Sequence, residues 1–213
     1  MTIHDELIDL MSSCRDDAEY MNSNVSRTEG DPRGTCFWYM YNRIKITEEI
    51  ISVYDKRWNP DILSKLDESS ISEIHDRIVT VTRDMFVDIV SAIEKGTKDC
   101  LKMYPSSGIK ESTLKKANRL YLRNIMLSSC EAGVITENDL GRWDDVLLIR
   151  NLAVHENSVS DRTTRLAISD IEIIMRAGRM MKGPMDTYIV LTELALKLFY
   201  DWLISMHERF YRP

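Results

Sequence analysis

The chain has 213 residues, of which 44% are hydrophobic and 29% are charged, a balance typical of a globular domain and opposed to wholesale disorder. The formal net charge of −6 argues against a protein that coats nucleic acid non-specifically, because such binding requires a basic surface. Only 8 glycines and 5 prolines occur, so few turns are specified and long helices are favoured over many short strands.

Cysteine spacing and hydropathy indicate the cellular compartment of the protein. The four cysteines are far apart and form no C-x-x-C pair, which argues against a zinc knuckle and a disulfide framework. The first ten residues are acidic and lack the long apolar region of a signal peptide. No segment approaches the ~20 apolar residues that a membrane span needs. We therefore expect a cytoplasmic protein without a membrane segment.

The first half of the chain shows apolar residues at three- and four-residue steps. This spacing predicts helices over residues 3–21, 36–57, 61–66 and 70–104. The segment 22–35 contains Gly30, Pro32 and Gly34, and it is predicted as a polar loop and the best candidate for a mobile insertion. Residues 37–41 hold four aromatic side chains in five positions, which favours core or dimer contact over a base-stacking platform.

The second half continues the helical period. It predicts a helix over residues 111–131, one that starts at the segment 136–139 and continues to about His155, another from about residue 169, and a terminal helix from residue 186. Thr136 and Asp139 match the Thr-x-x-acid pattern of a capping box at the start of the second of these. Residues 178–184 are predicted as a loop or a short extended piece. The coarse prediction is an all-α antiparallel bundle of five to seven helices in a single domain, residues 1–213.

One segment, IRNLAVHEN at residues 149–157, places an arginine, an asparagine and a histidine at the end of an amphipathic helix. Asn151 and His155 share a helix face, whereas Arg150 lies about 140° from His155 around the axis. Arg150 and His155 can meet if the helix ends near the histidine, or if a second copy meets the first across a two-fold axis.

The chemistry of these three residue types is specific. Arginine matches phosphate oxygens with a forked set of donors, and histidine transfers protons near neutral pH. Together with a polar residue that orients the reacting groups, they suit cleavage of a phosphodiester beside a 2′-hydroxyl. No metal or other cofactor is needed for that reaction, and the sequence offers no obvious metal cluster.

The segment resembles the R-x(4–6)-H signature of the HEPN domain superfamily. Arg150 and His155 occupy the two motif positions, and Asn151 occupies the polar position that follows the arginine. The resemblance covers roughly residues 110–210, whereas residues 1–105 add helices of unassigned role. It implies a helical bundle that forms a homodimer and, in many members, cleaves RNA without a metal as a toxin or defence effector. The implied site is composite, with all three residues supplied by both chains.

Two other interpretations remain open. A chain of the same fold can be a non-catalytic module that binds a nucleotide or a protein partner such as an antitoxin. Glu156, a carboxylate beside His155 that would repel RNA, favours this alternative. In a purely structural scaffold, His155 would complement the helix dipole and Arg150 would pair with Asp144 or Asp145.

Three further arginines flank the motif and are candidate contacts for RNA phosphates: Arg142, Arg162 and Arg165. The region 142–182 holds seven Lys or Arg against six Asp or Glu, so it is only weakly basic. Solvated surface is therefore the favoured interpretation for each arginine alone.

The expected function is that of a metal-independent endoribonuclease acting on single-stranded RNA through a composite dimer site.

Overall fold

The computed structural model describes residues 2–26, 28–56, 58, 60–155, 160–161, 163–168, 171–179 and 181–211, without the side chains of Asp55, Pro60 and His155. Helices make up 76% of the chain, which confirms the predicted all-α fold. The helices are α1 (Ile3–Tyr20), α2 (Pro32–Asp55), α3 (Pro60–Leu63), α4 (Glu68–Cys100), α5 (Ile109–Ala117), α6 (Leu122–Glu131), α7 (Glu137–His155) and α8 (Thr187–Phe210). Across the described ranges, none of them is long and apolar enough to cross a membrane.

The longest helix, α4, is the element against which α2, α7 and α8 pack. Its buried positions recur at helical spacing and include Ile78, Met85, Ile89 and Ile93. Asp67 caps its first turn by accepting a hydrogen bond of 2.7 Å from the Ser70 backbone N–H. Because α4 contacts three other long helices, it carries the apolar surface that joins the two halves of the chain.

The C-terminal helix α8 links the N-terminal helices to the core. Phe199 of α8 stacks on Phe37 of α2, with ring centroids 5.3 Å apart. Trp202 donates a hydrogen bond of 3.0 Å from its indole N–H to Ser129 Oγ, and both side chains are buried. A single hydrophobic cluster therefore contains residues from both halves of the chain.

Two predicted elements differ from the structure. The predicted helix 111–131 is divided into α5 and α6, because Asn118 adopts a left-handed conformation with φ 53° that ends α5. The helix predicted from about residue 169 is wrong: β1 (Thr164–Ile168) pairs antiparallel with β2 (Ile171–Met175). The β-branched residues Ile171 and Ile173 face the core at alternate positions, a period of two that is typical of a strand.

The segment predicted as a polar, mobile loop is partly helical and anchored in the core. A short π-helical turn occupies Met21–Val25, and Pro32 starts α2 as its first residue. The predicted breakers around Pro32 therefore mark a helix start. Asp31 caps α2, and its carboxylate is buried against the Arg33 guanidinium, with Arg33 only 1% exposed. The prediction of a mobile insertion at 22–35 is wrong at this end, because a buried ion pair holds the chain to the core.

Asp17 on α1 is a partly buried carboxyl whose ionisation opposes folding. Burial raises its pKa from 3.8 to about 6, the charges of Asp16 and Asp201 add to this, and Lys197 opposes it. Since the folded-state pKa lies above the unfolded value, the protonated group favours the folded state below pH 4. That contribution is lost as pH rises through 6.

We expect Asp17→Asn to raise the free energy of unfolding at pH 7.5 by about 1 kcal/mol, after discounting the shift for solvent screening. The gain should disappear near pH 4, where the carboxyl of the unmodified chain is already neutral when folded. Urea titrations at the two pH values measure this gain, with Asp9→Asn on the same helix as an exposed control. A gain of equal size at both pH values would contradict this explanation.

Candidate functional site

Helix α7 carries the Arg-Asn-His segment, and its start is well defined. The Thr136 hydroxyl accepts a hydrogen bond of 3.1 Å from the Asp139 backbone N–H, and the Asp139 carboxylate accepts one of 3.2 Å from the Thr136 N–H. The predicted capping box is therefore confirmed. The buried face of α7 consists of Trp143, Val146, Ile149 and Leu152. Because these residues set the rotation of the helix, Arg150 lies half-buried at its edge and Asn151 lies on its exposed side.

The guanidinium of Arg150 is held between two helices. Its Nη1 donates a hydrogen bond of 3.2 Å to Asn151 Oδ1, and its Nη2 donates one of 3.4 Å to Ser91 Oγ on α4. Its Nε–H is shielded from solvent and has no hydrogen-bond partner among the described residues. The structure therefore brings Arg150 and Asn151 together and leaves the buried Nε–H of the guanidinium without a described partner.

The third residue of the segment, His155, is the last residue of α7. Its backbone lies one helical turn beyond Asn151, on the same face of the helix. Its side chain is outside the described residues, so a contact between His155 and Arg150 stays a prediction.

The two aspartates considered as partners of Arg150 are placed differently. Asp144 accepts a two-point contact from Arg123 of α6, with Nε to Oδ1 at 2.9 Å and Nη2 to Oδ2 at 3.1 Å. Burial, followed by the charge of Asp144, raises the pKa of Asp145. Within the described ranges Arg150 forms no ion pair with either of them, so the contacts of Arg150 do not support the scaffold interpretation.

The three flanking arginines are not gathered around Arg150 by any described contact. Arg142 is half-buried on α7, two turns before Arg150. Arg165 lies on β1, and its Nη1 is 3.2 Å from Glu172 Oε1 on β2. Arg162 is outside the described residues. The cross-strand pair of Arg165 neutralises its charge, which weakens it as a contact for phosphate.

A pocket between α2 and α4, which we call the α2–α4 pocket, has a volume of about 520 Å³. Ser91, the hydroxyl that accepts from Arg150, is part of its lining, so the pocket adjoins the guanidinium. Tyr39, 56% exposed, lines it together with Asp88, Lys95 and Asp99. Sequence reasoning missed this pocket because its walls come from helices about 60 residues apart, a pairing that no local pattern reveals.

Exposed apolar side chains lie on α2 and on α7. Ile46, Ile50 and Val53 are exposed on one side of α2, and we call them the α2 stripe. Val154, next to His155 in sequence, is 41% exposed on α7. Apolar side chains grouped on a surface are a common feature of protein–protein contacts.

Comparisons with known proteins leave the family of this chain open. No protein-family model, no curated protein and no solved structure matches it. Among the described residues, no group of three or more histidine, cysteine, aspartate or glutamate side chains is placed to hold a metal ion. The candidate site therefore rests on the contacts of Arg150 and on the position of the Arg-Asn-His segment in α7.

Proposed function

We propose that the chain is an endoribonuclease of the HEPN type that cleaves single-stranded RNA at a composite site in a homodimer. The observation that carries the proposal is the contact between Arg150 and Asn151 at the end of α7, one turn before His155. The same resemblance leads us to propose a cytoplasmic toxin or defence effector that an antitoxin or another protein partner keeps inactive.

The proposed reaction uses the 2′-hydroxyl of the RNA itself as the nucleophile. His155 accepts the proton of that hydroxyl as its oxygen attacks the adjacent phosphorus. The bond from phosphorus to the 5′-oxygen of the next nucleotide breaks, and this oxygen takes a proton from water, whose hydroxide then takes the proton from His155. Arg150 stabilises the negative charge that grows on the phosphate oxygens in the transition state. Asn151 orients the guanidinium through the hydrogen bond to Nη1. The products are a 2′,3′-cyclic phosphate and a 5′-hydroxyl.

The contacts of Arg150 support this role. Two of its nitrogens are used by neutral oxygens, those of Asn151 and Ser91, and no described carboxylate neutralises its charge. A guanidinium in this state keeps its attraction for an anion. The forked N–H groups of a guanidinium can donate to two oxygens of one phosphate at the same time.

A second copy of the chain is part of the proposal. Arg150 and His155 are about 140° apart around the axis of α7, so one straight helix does not direct both at the same phosphate. A two-fold axis beside the end of α7 would let each subunit supply residues to the site of the other. The exposed Val154 and the α2 stripe offer apolar surface for such a contact.

The decisive experiment incubates the purified chain with a labelled single-stranded RNA in EDTA at low salt. Low salt is needed because an acidic protein loses affinity for RNA steeply as salt rises. We expect cleavage to products that end in a 2′,3′-cyclic phosphate, and a dimer by light scattering. An RNA of the same sequence with 2′-O-methyl groups should stay intact, since it lacks the nucleophile. A protein that leaves the unmodified RNA intact would refute the proposal.

The non-catalytic module is the second candidate, and the acidity of the chain favours it. The chain carries a net charge of −6, and the α2–α4 pocket beside Arg150 offers about 520 Å³ to a small ligand. A net negative charge disfavours a long polyanion more than a small ligand or a protein partner. Binding without cleavage in the same assay would favour the module over the enzyme.

A further inference from the structure

We propose that Cys36 and Cys100 are a modification site, a thiol pair that a small uncharged hydroperoxide oxidises to a disulfide joining α2 to α4. The pair is separate from the Arg-Asn-His segment, and the inference does not depend on the proposed function. It rests on the packing of α2 against α4, on the contact between the two thiols, and on the opening of the α2–α4 pocket.

Gly96 allows α2 and α4 to approach closely at this level. A Cβ atom placed on Gly96 would lie 3.2 Å from the Cβ of Cys36 and 3.6 Å from its Sγ. A larger residue at this position would push α2 away from α4. Cys100 follows Gly96 by one turn of α4, so it lies on the same face of α4, the face that α2 approaches.

The two thiols are in hydrogen-bonding contact. Cys36 donates its hydrogen to the Arg33 carbonyl oxygen, at 3.5 Å from its Sγ. Cys100 is therefore left as the donor to Cys36, and this hydrogen bond, together with complete burial, raises the pKa of Cys100. A disulfide between α2 and α4 requires a close approach of the two helices, and Gly96 provides it at this level.

The two sulfurs differ in access. Cys36 is partly exposed and lines the α2–α4 pocket, whereas Cys100 is fully buried behind it. Lys95 of the same pocket is close enough to Cys36 to interact with it electrostatically, although Asp99 is its principal partner. An oxidant in the pocket therefore meets Cys36 first.

The lining also selects the class of oxidant. The charged side chains of the pocket are already paired, Asp88 with Arg43 and Asp99 with Lys95. Lys95 is therefore not free to bind the carboxylates of an anionic oxidant such as glutathione disulfide. A small uncharged hydroperoxide needs no such partner, and about 520 Å³ is ample for it.

The chemistry needs one hydroperoxide for each pair. The Cys36 thiolate attacks the terminal oxygen, the O–O bond breaks, and the leaving oxygen takes a proton to become water or an alcohol. Sulfur of Cys36 is thereby oxidised to a sulfenic acid. The sulfur of Cys100 then attacks that of Cys36, the S–O bond breaks, and the leaving hydroxide takes the Cys100 proton to become water. Two thiols and one peroxide bond give one disulfide.

The test treats the full chain with hydrogen peroxide, blocks the remaining thiols after unfolding, and counts them by mass spectrometry. We expect the four free thiols of the untreated chain to fall to two, with a loss of about 2 Da from the chain. Peptide mapping should find Cys36 joined to Cys100, and dithiothreitol should restore four thiols. Because mapping uses the unmodified chain, the result does not depend on a variant folding.

Two variants complete the test. Cys36→Ser should abolish the loss of thiols, and Cys100→Ser should leave a sulfenic acid at Cys36 that dimedone traps. Cys130→Ser, a substitution at another partly exposed cysteine, should leave the disulfide intact. Four thiols remaining after treatment, or a disulfide that joins Cys36 to the nearby Cys14 or to another chain, would overturn the assignment.

Discussion

Replacing His155 by alanine should lower the rate of RNA cleavage by about 10²- to 10⁴-fold, the usual contribution of a group that transfers a proton in the transition state. Replacing Arg150 by alanine should lower it by about 10²- to 10³-fold, because one donor to the developing negative charge is lost. Single-turnover cleavage of a labelled RNA in EDTA measures both rates.

Matched controls separate loss of chemistry from loss of structure. His75 on α4 is exposed, lies 3.4 Å from Asp76 and borders the ring of Trp58, and no described contact joins it to α7. His75→Ala should therefore cleave RNA at the unmodified rate. Arg123→Ala removes an exposed arginine that binds Asp144 on α7, and it tests whether any change near α7 slows the reaction. All variants should keep the circular dichroism spectrum of the parent chain. Full activity in His155→Ala would remove that residue from the proposed mechanism.

The largest effect on stability is expected at the buried ion pair that starts α2. Arg33→Met should lower the free energy of unfolding by about 3 to 5 kcal/mol, because it leaves the Asp31 carboxylate buried without its cation. In the structure, Arg33 Nε lies 2.9 Å from Asp31 Oδ1 and Nη2 lies 2.6 Å from Oδ2. The Asp31 carboxylate raises the pKa of Arg33, so the guanidinium is charged at every accessible pH. Urea unfolding followed by tryptophan fluorescence measures the loss.

The surroundings of the pair explain the size of the effect. Asp31 is 4% exposed, and Arg33 Nη1 also donates a hydrogen bond of 3.1 Å to the Tyr104 hydroxyl. Arg77→Met is the control, since Arg77 pairs with Glu73 in solvent and exposed pairs contribute about 0.2 to 1 kcal/mol. The double variant Asp31→Asn/Arg33→Met should recover part of the loss because no charge stays buried. Equal urea midpoints for Arg33→Met and the parent chain would contradict the prediction.

The sequence predicted the helices well where one face of a helix is buried. The stripe of α4 is readable because residues such as Ile78 and Met85 recur at helical spacing and all face the core. The start of α7 was readable because Thr136 and Asp139 make a local contact that depends on neither tertiary packing nor a partner. Local chemistry and periodicity were sufficient in both cases.

The predictions failed where tertiary context outweighed the local pattern. The segment around Asp31 and Arg33 is predicted as a polar loop because glycines and a proline lie among its polar residues, yet these two side chains neutralise each other in the core. The hairpin β1–β2 is not predicted because a strand of five residues holds too few positions to distinguish a period of two from a helical one.

The candidate site, too, could be predicted from the sequence only in part. The sequence alone determined the all-α class, the position of Arg150, Asn151 and His155 near the end of one helix, and the angle between them, because these follow from the geometry of a single helix. Only the tertiary structure decided that Ser91 holds the Arg150 guanidinium, that Asp144 is taken by Arg123, and that a pocket lies alongside. Each of these contacts joins helices distant in sequence, and such contacts arise from the burial of apolar faces across the whole chain, which no local spacing encodes.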